Sequence, residues 1–442
     1  MRRFTIWSGV HSIVPQRWAS PGGEDEVAAL LYEADRAGRR VRPVGSGHSW
    51  SPVALAEDVL VDLSRMSRVL GIDAAARTIT VQAGCLLETI NAALDAVGLA
   101  MPILGSVAKQ TIAGAISTGT HGSSLRWGNL ATLVTRLRLV TPTGDILELD
   151  ERDERLAGAR VSLGALGIVT ELTLRVVPAF RLAEERETRS IAEIAATLAE
   201  IAESAEFAKV WWLPGSELAT VFRYHRTVEP VTERDVWRAI DQYLVNDLVF
   251  DAALKLSRTR PAMTELVNRT VASSYLGSAR RVARSDRAFN LAMPPIHRET
   301  EHAVDLEDAG ALVSETLAMV ARQGIRVNFP YEIRFVGADD GWLSPAYGRD
   351  TCQVGAYMAE SADLERYFAG FDAIGRALGG RPHWGKELRA DHAYLRSVYP
   401  EFDRFVALRD ELDPHGTMSN AFLDRVLGPA RSAQAMPHAE RW

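Results

Sequence analysis

The sequence predicts a two-domain α+β protein, and three observations carry that expectation. The chain has 442 residues, enough for two sizeable cores. Up to about residue 180, short strand-like runs alternate with amphipathic helical stretches. Beyond 180 the texture changes: helical spacing comes first, and strand-like pieces return late.

The elements follow in order. Residues 24–37 read as a helix, with Val27, Leu30, Leu31 and Ala34 at helical spacing, acidic residues in the first turn and Gly38 at the end. Residues 41–44 form a short strand that feeds a glycine loop. Residues 59–63 and 78–83 read as strands, and 86–97 as a second amphipathic helix ending at Gly98. Residues 133–140 and 145–149 flank Thr141-Pro142-Thr143-Gly144, a hairpin signal. Leu172, Leu174 and Val176 point one way and Thr173 and Arg175 the other, in a strand that Pro178 closes. Past 180, Ile191, Ile194, Leu198 and Ile201 mark a helix, and charged helical stretches follow to about Asp251. The pattern is hardest to read over 226–285, and strand-like pieces return at 325–335 and 351–357. The first part is expected to hold a cofactor, and the second to be a sheet with helices that supplies substrate contacts.

Composition narrows the function. The chain is 47% hydrophobic and 24% charged, which is ordinary for a globular protein. A net charge of −7 without a basic stripe argues against nucleic acid. Cys85 and Cys352 make no disulfide framework and read as small buried residues. The basic start Met1-Arg2-Arg3-Phe4 lacks the apolar core of a signal peptide, and no apolar run reaches the ~18 residues of a membrane span. A cytoplasmic location is the expectation.

Two loops carry the chemistry. Gly45-Ser46-Gly47-His48-Ser49-Trp50 follows a strand, and Thr118-Gly119-Thr120-His121-Gly122 follows a small-residue run. Amides freed by glycine can wrap a pyrophosphate, and a histidine on such a loop can face the bound cofactor. The first loop is not the dinucleotide fingerprint: Trp50 stands where the third glycine belongs, and Pro52 favours a loop over a helix. Alone, it reads more readily as a surface turn with a solvated histidine than as a cofactor site. The run from Thr111 to Gly122 is nearly free of bulk. It is either a helix packed closely in a core or backbone lying against a flat ligand, and its hydroxyls favour the second, since buried hydroxyls need partners.

With Ser162-Leu163-Gly164-Ala165-Leu166-Gly167-Ile168-Val169-Thr170 and His383-Trp384-Gly385-Lys386, these loops form an ordered set. It resembles the vanillyl-alcohol-oxidase type of FAD enzyme, and within it the sugar-1,4-lactone (L-gulono- and D-arabinono-1,4-lactone) and alditol oxidases. The likeness runs from Trp7 to about Leu427. It implies a PCMH-type FAD-binding domain over 1–180, an α+β cap or substrate domain over 181–412, and a C-terminal segment, 413–442, returning to the FAD domain. Gly45, Ser46, Gly47, His48 and Ser49 would wrap the pyrophosphate, with His48 carrying the flavin covalently. The open alternative at His48 is a hydrogen-bonded histidine with noncovalent FAD. Ser106, Thr111, Gly114, Ser117, Thr118, His121 and Gly122 match cofactor-lining positions, His121 in a structural rather than catalytic role. Ile168 and Val169 match backbone contacts to the adenine side.

In the second domain, Glu332 and Arg334 lie two apart on one strand face. Such a pair is either a surface network or, as the resemblance implies, a substrate contact. Lys386 is either solvated or, by the resemblance, a cation that stabilises negative charge on the reduced flavin. These three are the expected catalytic residues; no metal is expected. The turn Leu412-Asp413-Pro414-His415-Gly416 reads as structural first. Two positions bear on substrate and acceptor. Gly355 stands where alditol-oxidising relatives carry a histidine, which favours a lactone, although Trp342-Leu343-Ser344-Pro345 resembles the alditol pattern. Gly105 leaves room for dioxygen where oxygen-excluding dehydrogenases carry alanine. The resemblance thus implies oxidation of a carbohydrate hydroxyl, foremost the C2 hydroxyl of an aldono-1,4-lactone, with dioxygen reduced to hydrogen peroxide. The alternatives are an alditol oxidase, a lactone dehydrogenase feeding a carrier, and a non-catalytic sugar-binding relative.

Overall fold

The computed structural model describes residues 2–232, 250–275, 280–290 and 294–430. In the first half, the strands Arg17–Ala19, Val59–Asp62 and Val41–Val44 form a parallel sheet with Val59–Asp62 in the centre. That central strand is an unbroken apolar run up to its last residue, as burial on both faces requires. An antiparallel five-stranded sheet follows, in the order Ile146–Asp150, Val134–Val140, Ile168–Arg175, Thr78–Gln82 and Val69–Asp73. The expected hairpin is there, Ile146 facing Val140. Helices Glu24–Arg36 and Leu87–Asp95 bury the predicted faces, and residues 45–50 form an irregular loop.

The second half is built on an eight-stranded antiparallel sheet. Its order is Arg280–Arg284, Arg181–Ser190, Leu218–Thr227, Phe207–Trp212, Tyr331–Val336, Thr351–Met358, Arg298–Asp305, Arg381–Pro382. Side chains alternate between its faces. Val210, Trp212, Tyr331, Ile333, Phe335, Cys352, Val354 and Ala356 pack under the helices Ile191–Ala196, Leu198–Glu203, Ala309–Gln323 and Leu364–Ala377. Phe207, Phe222 and Tyr224 face the other way and join the core of the first half.

Several elements differ from expectation. Phe207–Trp212 and Leu218–Thr227 are strands, not charged helix; their aromatic and β-branched residues fit the pleat, and both pair with partners distant in sequence. The rest of the expected helical stretch, 233–249, lies outside the described residues. The late strand starts at Tyr331 because Gly324, at φ +62°, ends a helix and Pro330 precedes the ladder. The strand expected at 172 begins at Ile168. Ile112–Ser117 is a short helix whose Ile112, Ala115 and Ile116 are buried, so the small-residue run packs as a helix and leaves Gly114 exposed.

The return to the first core begins before residue 413. Trp384, Leu395, Phe402, Phe405, Met418 and Phe422 all belong to it. Arg42 fastens that return. Its buried guanidinium donates to the carbonyls of Val53, Leu163, Gly164 and Met418, joining three distant parts of the chain. Residues 431–442 of the expected C-terminal segment lie outside the described residues. Among the described residues, no helix is long and apolar enough to cross a membrane.

Candidate active site

The first glycine loop is cut to fit its neighbours. A Cβ on Gly45 would stand 2.2 Å from the Thr111 hydroxyl, and one on Gly114 2.9 Å from the same atom. The Thr111 hydroxyl is wedged between the two, and a side chain at either position would have to displace it. Gly47 sits at φ +70°, and Trp7 N–H donates to its carbonyl at 2.8 Å. The Trp7 ring lies 6.2 Å from that of His48, whose ring has no hydrogen-bond partner among the described residues. Burial and then Lys109 lower the His48 pKa, which favours the neutral ring.

This loop is stitched to the late lysine motif. Trp50 N–H donates to Gly385 O at 2.7 Å, Ser51 Oγ to Trp384 O at 2.7 Å, and Trp50 Nε1 to His297 O at 2.9 Å. Lys386 Nζ stands 4.3 Å above the Trp50 ring and touches the Glu299 carboxylate. Burial alone would bring this amine down to about 7, but the carboxylate in contact holds the proton on. Glu299 also accepts from His297 Nε2 at 2.6 Å.

The second loop closes from the other side. A Cβ on Gly122 would strike Ile103 at 2.4 Å. His121 Nδ1 faces Gly122 O and its Nε2 faces Glu301 Oε1, both at 2.9 Å. Ser117 O accepts from Leu163 N–H at 3.0 Å, which ties this loop to the 162–167 turn. Ile168 and Val169 lie just beyond, buried and paired with Val140 and Leu139.

The floor is the sheet face of the second half. Trp211, Glu332, Gly355 and Glu301 stand side by side across four strands, and Lys209, Arg334 and Gln353 form the next row. Glu332 accepts from Trp211 Nε1 at 2.6 Å, from Arg334 Nη2 at 2.9 Å on both oxygens and from Tyr357 Oη at 2.9 Å, with Lys209 Nζ at 3.6 Å. Burial works to raise this carboxyl, but Arg334 and Lys209 hold it at about 2. It is ionised, and its lone pairs are occupied. Burial brings Lys209 to about 8 against the pull of Glu332. Arg334 Nη2 also donates to Ser106 Oγ at 2.6 Å, and Nη1 reaches His121 O at 3.5 Å. Its Nε–H is buried with no acceptor among the described residues. An orphaned buried donor costs about 1–3 kcal/mol, so this atom calls for a ligand oxygen.

The structure therefore brings Ser106, His121, Glu332 and Arg334 together, and joins Lys386 to the His48 loop. Sequence reasoning missed Lys209, Trp211, Glu299, Glu301 and Tyr357. The available signal was alternation: Lys209 and Trp211 interleave with Ala208, Val210 and Trp212, and Glu299 and Glu301 with Thr300 and His302. His121, Glu301 and His383 also lie close enough to hold a metal. However, Gly385 N–H donates to His383 Nδ1 at 3.0 Å, which puts the neutral ring's proton on Nε2 and takes that atom out of ligation. The trio is a hydrogen-bonded cluster. Glycine-cut loops, a free histidine and an orphaned guanidinium N–H together fit a bound flavin nucleotide and an oxygen-rich substrate.

Comparison with known proteins agrees with this arrangement. Residues 172–426 match the D-arabinono-1,4-lactone oxidase family, and residues 15–150 match an FAD-binding domain family. The L-gulono-1,4-lactone dehydrogenase of Mycobacterium tuberculosis is 34% identical, over 96% of this chain and 98% of its own length. The L-gulonolactone oxidase of Scyliorhinus torazame is 32% identical, again over 96% and 98%. Among solved structures, the cholesterol oxidase of B. sterolicum superposes with a TM-score of 0.84 at 17% identity, covering 96% of each chain. That last likeness is one of fold, the PCMH-type FAD-binding architecture.

Proposed function

Because the chain belongs to the D-arabinono-1,4-lactone oxidase family, we propose that it oxidises the C2 hydroxyl of an aldono-1,4-lactone, L-gulono- or D-arabinono-1,4-lactone, with FAD. The lactone loses a hydride from C2 and a proton from its hydroxyl, leaving a ketone that tautomerises to an enediol. Bound FAD supplies the two-electron acceptor. Gly45, Ser46, Gly47 and Ser49 hold its pyrophosphate, and His48 its covalent link. Ser106, Thr111, Gly114, Ser117, Thr118, His121 and Gly122 line it, with Ile168 and Val169 on the adenine side. Lys386 places a cation beside it.

The observation that supports a lactone over a polyol is the pair of open donors on the floor. Glu332 is fully occupied, while Arg334 Nε and the Lys209 ammonium are left to bind, with Gln353 Oε1 an open acceptor beside them. Besides its hydroxyls a lactone offers a carbonyl and a ring oxygen, acceptors without hydrogens that match those open donors. A polyol has no acceptor of that kind. Arg334 orients the substrate oxygens and opposes the negative charge that grows on the oxidised oxygen; Glu332 fixes Arg334.

Dioxygen is the proposed final acceptor, leaving as hydrogen peroxide. Supporting this, a Cβ on Gly105 would stand 3.0 Å from Thr120 Cγ2 and 3.2 Å from His121 O, so glycine keeps open a gap that alanine would close. The M. tuberculosis relative named a dehydrogenase keeps transfer to a carrier as the second reading. Two buried free thiols, Cys85 and Cys352, fit a reducing compartment, and the cytoplasm is the proposed location.

The deciding experiment is anaerobic titration of the yellow protein with lactones and alditols. Lactones should bleach the flavin, and air should restore it with one peroxide per turnover. Acid precipitation should leave the pellet yellow, and His48→Ala should move the colour to the supernatant. Folded protein that shows no flavin absorbance and takes up no FAD would refute the proposal.

A further inference from the structure

Gly355 and Tyr357 are two apart on the strand Thr351–Met358, both on the site face. A Cβ built on Gly355 would stand 2.6 Å from Tyr357 Cε1, 3.0 Å from Cζ and 3.1 Å from Oη. The tyrosine ring therefore lies over the Gly355 position instead of standing away from it. Side-chain bulk at 355 and this ring are alternatives for one volume. The ring is held from several sides. His297 lies at 5.8 Å and Phe329 at 6.5 Å between centroids, and Lys386 Nζ is 5.6 Å from its centre. Its hydroxyl donates to Glu332 Oε2 at 2.9 Å.

We propose that Tyr357, folded over Gly355, is the residue that makes this site select a cyclic lactone over an open-chain polyol. The inference rests on the lactone reading above and deepens it. Two effects combine. The hydroxyl occupies a Glu332 lone pair that a polyol hydroxyl would otherwise take. The ring, folded over Gly355, fills volume on the site face that a flexible open chain would use. Glycine at 355 is then a requirement of specificity as well as of space.

Three variants test this: Tyr357→Phe, which keeps the ring and loses one oxygen; Tyr357→Ala, which loses both; and Gly355→Ala, which displaces the ring without touching Tyr357. Binding of L-gulono-1,4-lactone and of sorbitol is measured by calorimetry on pre-reduced, oxygen-free holoenzyme, where no turnover occurs, and kcat/KM is measured alongside. The lactone-to-polyol ratio should fall about tenfold in Tyr357→Phe, through tighter sorbitol binding, and further in Tyr357→Ala. Gly355→Ala should reproduce the Tyr357→Ala ratio. Tyr357→Phe is nearly isosteric, so it decides the matter even where another variant fails to fold. An unchanged ratio in Tyr357→Phe, with the wild type still preferring lactone, overturns the role of Tyr357 alone. A wild type that prefers sorbitol overturns the lactone reading and this inference together.

Discussion

The two faces of the eight-stranded sheet are made by the same strands and share almost nothing else. Toward the helices, Val210, Ile333, Ala356 and Val304 form an apolar core with Phe371 of the helix Leu364–Ala377. Toward the first half, on the same four strands, stand Lys209, Glu332, Tyr357 and Glu301. The difference teaches that a strand can be a structural element and a reagent carrier at once, because its period of two separates the tasks. The helix face contributes the rigidity that holds the charged rows in register.

The comparison breaks most sharply at Arg334. Arg334→Ala removes the proposed substrate donor and takes from the Glu332 carboxylate its nearest cation. Flavin reduction by lactone should slow by about 10²–10³-fold, read by anaerobic stopped-flow absorbance. Arg334→Lys should rescue little of it, because a point charge cannot reproduce the planar fork.

On the opposite face, Phe371→Ala should cost about 3–5 kcal/mol in denaturant unfolding and leave kcat/KM for folded enzyme unchanged. A loss of kcat/KM as large as that of Arg334→Ala would mean that the two faces are not separate in function.

A smaller effect should appear in the pH dependence of stability. Burial holds His383 down at about 4 from an ordinary 6.5, with Glu301 pulling the other way. Between those values the unfolded chain binds more protons than the folded one, so stability falls as pH drops through that window and levels off above it. The melting temperature should decline by several degrees on acidification, and His383→Gln should flatten that acid limb. An equally steep limb in the variant would place its origin elsewhere.

The parts of the site that were legible in the sequence are those written locally. The glycine loops around His48 and His121 declare themselves by composition, and Glu332 and Arg334 by their spacing. The helices Glu24–Arg36 and Leu87–Asp95 and the hairpin after Val140 were equally plain. What escaped depends on pairing over long separations. Lys209 becomes a floor residue only because Phe207–Trp212 lies beside Tyr331–Val336, more than a hundred residues away. Read alone, that segment follows a helix and carries a single charge, which reads as solvated. Glu299 and Glu301 were hidden in the same way, since a carboxylate on a lone strand reads as solvated until its cationic partner is known. Tyr357 was in view only as a neighbour of Gly355, and the ring lying over the glycine is a fact of rotamer.

The grip of Arg42 on Met418 sets an order of events during synthesis. A ribosome making this chain has released the His48 loop long before Met418 and the aromatic residues of the last helices leave its tunnel. Until then the guanidinium lacks one of its acceptors, and the nucleotide-binding half lacks part of its interior. The half that is translated first is thus completed last.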